Sequence, residues 1–428
     1  MAGPRNCGRL ELLSSTAALC AVLLLTPFAS AQDRGDRWVG AWQGSPTPGG
    51  TFYSPGCPSD VGLNNQTVRN IVFISMGGDA VRVRVSNAGG SVPLQVGAAS
   101  VAIAASGGAA TPGTLHQLLF NGRDSILIAA GAEAVSDPID IKIQALQELD
   151  INIYLPGATG PATQHYFAAQ QNYLAAGNQT MSAAPTSFSH RISCWMFSSA
   201  VDVRTSRRVI GSIIGFGDSI TDSYLSTTNA NHRYPDFLAR KLAARDGVTM
   251  SVENAGIIGN EILTIRPQLE FGYPAPARLD RDALLQTRAR AIILLEGIND
   301  IGDKSAKAED LIAADLQIIR AAHASGLKIY GGTLLPFAGS NKVYGGDYGT
   351  PKGEAERQAL NEWIRTSGAF DGVIDFDAAL RDPSNPTMLL PAYDGDHLHP
   401  NDAGYQAMAN AVDLDQIIRD VLNDTGDE

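Results

Sequence analysis

The feature that most constrains this chain is a change of hydrophobic rhythm near residue 208. Before it, apolar and polar side chains alternate with period two. Ala80-Val81-Arg82-Val83-Arg84-Val85 is the clearest case, with further β-rich runs at 68–75, 125–129 and 151–155. Gly77-Gly78-Asp79 and Gly89-Gly90 punctuate these runs as turns. A period of two places every second side chain on one face of a strand, so this half predicts an all-β, sandwich-like module without helices. After residue 208, short apolar runs at 209–216, 250–253, 291–295, 328–335 and 373–376 alternate with amphipathic stretches. The predicted helices include one starting near Pro235, one over 309–324 closed by Gly326, and a last one over 401–422. Such alternation predicts a parallel sheet covered by helices on both faces. The polar, basic stretch 204–208 reads as the connector, giving one domain over 32–206 and another over 207–428.

The first 31 residues follow neither rhythm. Arg5 and Arg9 precede an apolar stretch over 17–25, and Ala29-Ser30-Ala31 follows as a small-x-small cleavage pattern. The expectation is a signal peptide, 1–31, cut after Ala31. Its apolar run is shorter than the ~20 residues a bilayer requires, so no stable membrane insertion is expected after cleavage. The product would be secreted, extracellular or periplasmic. Export removes Cys7 and Cys20 and leaves Cys57 and Cys194 as a candidate disulfide in an oxidising compartment. With 32 Lys+Arg against 44 Asp+Glu, a net charge of −12 and no basic cluster, nucleic acid is not an expected partner.

Chemistry concentrates at the junctions of the second half. In IIGFGDSITDSY, residues 213–224, Ser219 stands where the first strand stops and a helix starts. Ligands of open α/β sheets bind at such ends, but serine is also a favoured helix cap, and both readings stand at this point. A nucleophilic serine needs a base, and a histidine base needs a carboxylate to orient it. DGDHLHPNDAGY, residues 394–405, offers two pairs at equal spacing, Asp396 with His399 and Asp394 with His397, so spacing does not choose between them. Donors for an oxyanion are available in NAGIIGN (254–260) and in LLEGIND (294–300), which carries the Asn299 amide. Glu296, Asp300 and Asp375 suit structural roles, capping or pairing. Segments 266–282 and 337–352, rich in Gly, Pro, Tyr and Phe, are expected to wall a cleft, with no long apolar lid.

Taken together and in this order, Gly217-Asp218-Ser219, Gly259, Gly297-x-Asn299-Asp300 and Asp396-x-x-His399-Pro400 resemble the SGNH, or GDSL, hydrolase family. The resemblance covers roughly 208–423. Stretches such as WVGAWQGSP and VRVRVSNAGGSVPLQVGAASVAIA further resemble secreted bacterial members that carry an N-terminal β domain. The resemblance implies a flavodoxin-like three-layer α/β/α hydrolase domain, and Thr221, standing where a second glycine would complete G-x-S-x-G, argues against the α/β-hydrolase elbow. It implies Ser219 as nucleophile, Asp396 and His399 as its relay, and Gly259, Asn299 and the Ser219 amide as the oxyanion hole. Asp218, Asp300 and His397 are the candidates for substrate contact. No metal or organic cofactor is expected. The implied activity is hydrolysis of carboxylic esters through an acyl-serine, on short acyl chains such as acetyl groups of a polysaccharide. The alternatives are a lipase for longer chains, an acyltransferase, and a glycan-binding protein with a degenerate hydrolase half. Trp38, Trp42, Phe52, Tyr53, Tyr166 and Phe167 could stack on sugar rings, though core packing or contact between the halves is the stronger reading of these aromatics.

Overall fold

The computed structural model describes residues 3, 37–51, 56–206 and 208–425; the expected signal peptide, Phe52 and Tyr53 lie outside the described residues. Arg37–Glu428 is one compact unit with two large apolar cores and a small third cluster of Ile71, Tyr173, Ala175 and Phe188.

In the first half, two antiparallel sheets face each other. One is ordered Trp38–Gln43, Ser198–Arg204, Gly78–Ser86, with Glu133–Val135 and Ile139–Ile143 both pairing the last of these. The other runs His190–Ile192, Asn172–Ala176, Gln66–Phe73, Glu148–Leu155, Ala98–Ile103, His116–Leu118. Val81, Val83 and Val85 from the first sheet and Val68, Ile151 and Ile153 from the second share one core. The period-two pattern thus becomes the inner faces of a sandwich. Two short 3₁₀ turns, Ser106–Gly108 and Pro185–Ser187, are its only helical pieces among the described residues. A disulfide joins Cys57 to Cys194, with Cα atoms 6.1 Å apart, across 137 positions.

The second half contains a five-stranded parallel sheet of β1 (Val209–Gly217), β2 (Thr249–Gly256), β3 (Ala289–Leu295), β4 (Lys328–Gly332) and β5 (Gly372–Ile374). Their order is β2-β1-β3-β4-β5, the doubly wound order of flavodoxin-like folds, in which the crevice lies where the order reverses beside β1. β1 and β3 are almost wholly apolar because both faces are covered, whereas β2 carries Ser251, Glu253 and Asn254. The helices include α1 (Ser219–Asp222), α2 (Tyr234–Ala243), α3 (Ile298–Lys304), α4 (Ala308–Ala324), α5 (Pro351–Thr366), α6 (Asp402–Ala411) and α7 (Leu414–Thr425), with further short helices at Ala275–Leu279, Asn341–Tyr344 and Phe376–Leu380. None is long and apolar enough to cross a membrane.

Two expectations are corrected, and one helix is unexpected. The helix over 401–422 is two helices: Val412 is extended, and the Asp413 carboxylate accepts the N–H of Gln416 and starts a new one. The fourth strand stops at Gly332, three residues early. Helix α5 has no clean apolar stripe to announce it, since its buried face includes Arg357 and Asn361. Arg357 is neutralised there by Asp377 at 2.8 Å and Glu354 at 2.7 Å.

The halves meet along the edge strand Trp38–Gln43. Ser251 Oγ donates to Gly40 O at 2.6 Å, Val252 N to Ser75 Oγ at 3.0 Å, and Gly40 N to Thr287 O at 3.0 Å. A side chain at Gly40 would run into the carboxyl of Glu253, so glycine is what permits this approach.

Candidate active site

The carboxyl ends of β1, β2 and β3 are drawn together from below by one buried guanidinium. Arg278 donates to Gly217 O at 2.9 Å, Ala255 O at 2.7 Å and Asn260 Oδ1 at 2.8 Å, with Asp282 and Glu296 each at 3.3 Å. Gly217 O also accepts the N–H of Ile257 at 3.0 Å, so the guanidinium adds charge-assisted bonds that tie the strand ends together.

Directly after β1, Asp218 caps α1, its carboxylate accepting Ile220 N–H at 2.8 Å. The cap is therefore Asp218, and Ser219 is the first helical residue, its hydroxyl free for other work. Ser219 Oγ lies 2.8 Å from Nε2 of His399. Nδ1 of the same ring lies 3.0 Å from Asp396 Oδ2 and 3.2 Å from Oδ1, which makes Nδ1 the donor and leaves the Nε2 lone pair toward the serine. The Asp396 carboxylate also accepts the backbone N–H of His399 at 2.8 Å, that of Leu398 at 3.1 Å, and the hydroxyl of Tyr344 at 2.6 Å. Partial burial works against its charge, but the His399 ring and the Tyr344 hydroxyl outweigh it and hold the group well below the usual carboxylate range. Asn401, two residues beyond His399, caps α6 and anchors the loop.

Gly259 sits in the turn after β2 with φ +72°, where a Cβ would strike the Phe271 ring. Asn299, the second residue of α3, donates from Nδ2 to Asn260 O at 2.8 Å, while its Oδ1 accepts the Tyr348 hydroxyl at 2.7 Å. These two bonds fix which end of the amide carries the nitrogen and leave one N–H uncommitted. Ser219, Gly259, Asn299 and His399 line a single cleft of about 610 Å³. Arg266, Phe271, Tyr344 and Tyr348 also line it, from the two segments expected to wall it.

Three candidate substrate contacts lie elsewhere. Asp300 is fully buried and accepts the N–H groups of Ile262 at 2.9 Å and Leu263 at 2.8 Å; burial pushes it up to about 6 against those bonds. Asp218 is 1% exposed, and burial, with the nearby charge of Asp300, pushes it up to about 7. Both organise loops from beneath. His397 takes a left-handed turn conformation, φ +70°, and its ring pairs outward with Asp394 at 2.6 Å, 47% exposed. That pair is the decoy of the two equal spacings: the positive φ turns one ring to solvent and the other to Ser219.

Several site residues escaped sequence reasoning. Tyr344 and Tyr348 lay in a segment marked only as a wall, and the Tyr-Gly content was their sole signal. Of the aromatics named as possible sugar-stacking residues, Tyr166 and Phe167 line the cleft from the β half, whereas Trp38 and Trp42 are core, 3% and 6% exposed. His165, beside them, bonds Asp222 of α1 at 3.1 Å.

Residues 216–407 match the model of the GDSL-like Lipase/Acylhydrolase family. No curated protein sequence matches the chain. Among solved structures, an aryl esterase of M. smegmatis aligns at 15% identity over 49% of this chain and 99% of its own, TM-score 0.39. A carbohydrate acetylesterase from Sinorhizobium meliloti aligns at 14% over 49% and 98%, TM-score 0.37. A GDSL-like lipase from Bacteroides thetaiotaomicron aligns at 17% over 50% and 88%, TM-score 0.35. At TM-scores below 0.5 none of these likenesses bears on substrate. On the family match, together with the order of blocks around the cleft, residues 216–407 form a GDSL-like lipase/acylhydrolase domain, and the protein is a carboxylic ester hydrolase.

Proposed function

We propose that the protein is a secreted serine esterase that releases short acyl groups, such as acetyl groups of carbohydrate, through an acyl-Ser219 intermediate. The observation that carries this reading is the contact of Ser219 Oγ with His399 Nε2 at 2.8 Å, with Asp396 behind the ring. His399 takes the Ser219 proton as Oγ attacks the ester carbonyl. The tetrahedral oxyanion is received by the N–H groups of Ser219 and Gly259 and by the uncommitted N–H of Asn299. Collapse breaks the bond to the alcohol, which leaves with the proton held on Nε2. Water then attacks the acyl carbon while giving a proton to the same nitrogen, and collapse breaks the bond to Ser219 Oγ, which takes that proton back from Nε2 as the acid leaves. A cleft walled by aromatic rings supports a short acyl group on a ring-bearing alcohol. Secretion rests on the leader pattern alone and is checked by whether the exported product begins at Gln32.

The test is Ser219→Ala assayed on an acetyl ester. Turnover disappears while the melting temperature stays near wild type; undiminished hydrolysis ends the proposal. Palmitoyl esters are turned over more slowly than acetyl esters, and the reverse order would replace the short-chain reading with a lipase.

A further inference from the structure

The segment of the β half that reaches the cleft is fastened on both sides. His165 ends the short strand Gln164–His165, which pairs with Trp195–Met196, and its ring bonds Ser45 O at 3.0 Å and Asp222 Oδ1 at 3.1 Å. On the far side, Ala168 N donates to Ser193 O at 2.9 Å, Ala168 O accepts the Arg233 guanidinium, and Ala169 O accepts Asn229 N at 3.0 Å. Tyr166 and Phe167 lie between these ties, presented to the cleft by anchors that are themselves buried or paired.

Their ring contacts diverge. Phe167 packs on Tyr224 at 5.3 Å, and Tyr224 packs edge-on to the His399 imidazole at 4.9 Å. Tyr166 packs on Phe271 at 5.9 Å, and Phe271 is the ring that a Cβ at Gly259 would strike. One wall therefore borders the imidazole and the other borders the oxyanion turn. In ester cleavage the leaving oxygen must sit beside Nε2 to receive its proton, while the carbonyl oxygen points to the turn. The alcohol consequently lies along the imidazole wall, which Tyr344 flanks from the other side at 5.7 Å.

We infer that Phe167, carried by the β half, is a specificity-determining residue for the leaving alcohol. With Tyr224 it forms a subsite for an alcohol that presents a flat apolar face, an aryl ring or the C–H face of a pyranose, stacked against the rings. This inference rests on the serine-esterase reading above. It gives the β half a part in the active centre itself.

The experiment compares methyl acetate, phenyl acetate and an O-acetylated methyl pyranoside with wild-type protein, Phe167→Ala and Phe167→Leu. All three esters form the same acetyl-Ser219, so their kcat/KM ratios read only the alcohol during acylation. Dividing variant by wild type also cancels intrinsic reactivity. The preference for the two ring-bearing acetates over methyl acetate falls about tenfold in Phe167→Ala, and less in Phe167→Leu, which keeps the bulk without the π face. The acetyl-to-butyryl ratio on phenyl esters shifts in Tyr166→Ala instead. An unchanged alcohol preference in Phe167→Ala, or a change only in acyl preference, overturns the inference. If Ser219→Ala still cleaves phenyl acetate, it is the underlying mechanism that has failed; if turnover depends on Ser219 and the ratios do not move, the fault lies with Phe167 alone.

Discussion

Nε2 of His165, from the β half, lies 3.1 Å from Oδ1 of Asp222, three residues beyond Ser219 in the other half. The second oxygen of Asp222 accepts the N–H of Ile258, next to Gly259, at 3.2 Å. One buried pair thus braces both the helix that carries the nucleophile and the turn that carries an oxyanion donor. Because Nδ1 faces Ser45 O, both ring nitrogens meet acceptors, and only the imidazolium satisfies them together. Burial works against that charge, but the charge and hydrogen bond of Asp222, aided by the Ser45 carbonyl, raise the ring above its ordinary 6.5.

The sign of the pH effect follows. A group raised on folding contributes stability that is fully present below its unfolded value and is lost as pH climbs through its folded value. Wild type therefore exceeds His165→Gln in melting temperature most at pH 5.5–6.5, and the gap narrows as pH rises above that window. A gap that widens with pH would mean the ring is neutral. The same variant loses kcat on an acetyl ester, since Asp222 is released from one side.

Asn299→Ala lowers kcat by roughly 2.7–4 kcal/mol of barrier, the range seen when one oxyanion donor is removed. Tyr348→Phe is smaller in effect: it deletes the donor that holds Oδ1 and allows the amide to flip. Burial raises the Tyr348 hydroxyl well above its ordinary value, so it remains a donor at every working pH. Steady-state kinetics at saturating ester decide this, and an unchanged kcat in Asn299→Ala would remove that residue from the reaction.

Tyr344→Phe lowers kcat/KM on an acetyl ester. The hydroxyl shares Asp396 Oδ2 with the His399 ring. Without it the carboxylate loses one of the donors that fix it behind the ring, and the imidazole is held less firmly toward Ser219. Burial and the bond to Asp396 raise the Tyr344 hydroxyl, so it donates throughout the measurement. An unchanged kcat/KM would reduce Tyr344 to a wall of the cleft.

What the sequence determined by itself was most of what depends on near neighbours. Alternation over 80–85 specified strands with one buried face, and apolar runs ending at Phe216 and Leu295 specified strands covered on both. The position of Ser219 and Asn299 just past those runs followed, because a strand end is a local event. Local reasoning failed where a buried face is polar, as in α5, and where a carboxylate restarts a helix, as at Asp413. Only the tertiary structure decided which of two identically spaced histidines meets the serine, which end of the Asn299 amide faces the cleft, and that His165, Tyr166 and Phe167 belong to the site. Each of those depends on groups brought together from 49 to 180 positions apart by sheet packing, and such a meeting leaves no periodic trace in the chain.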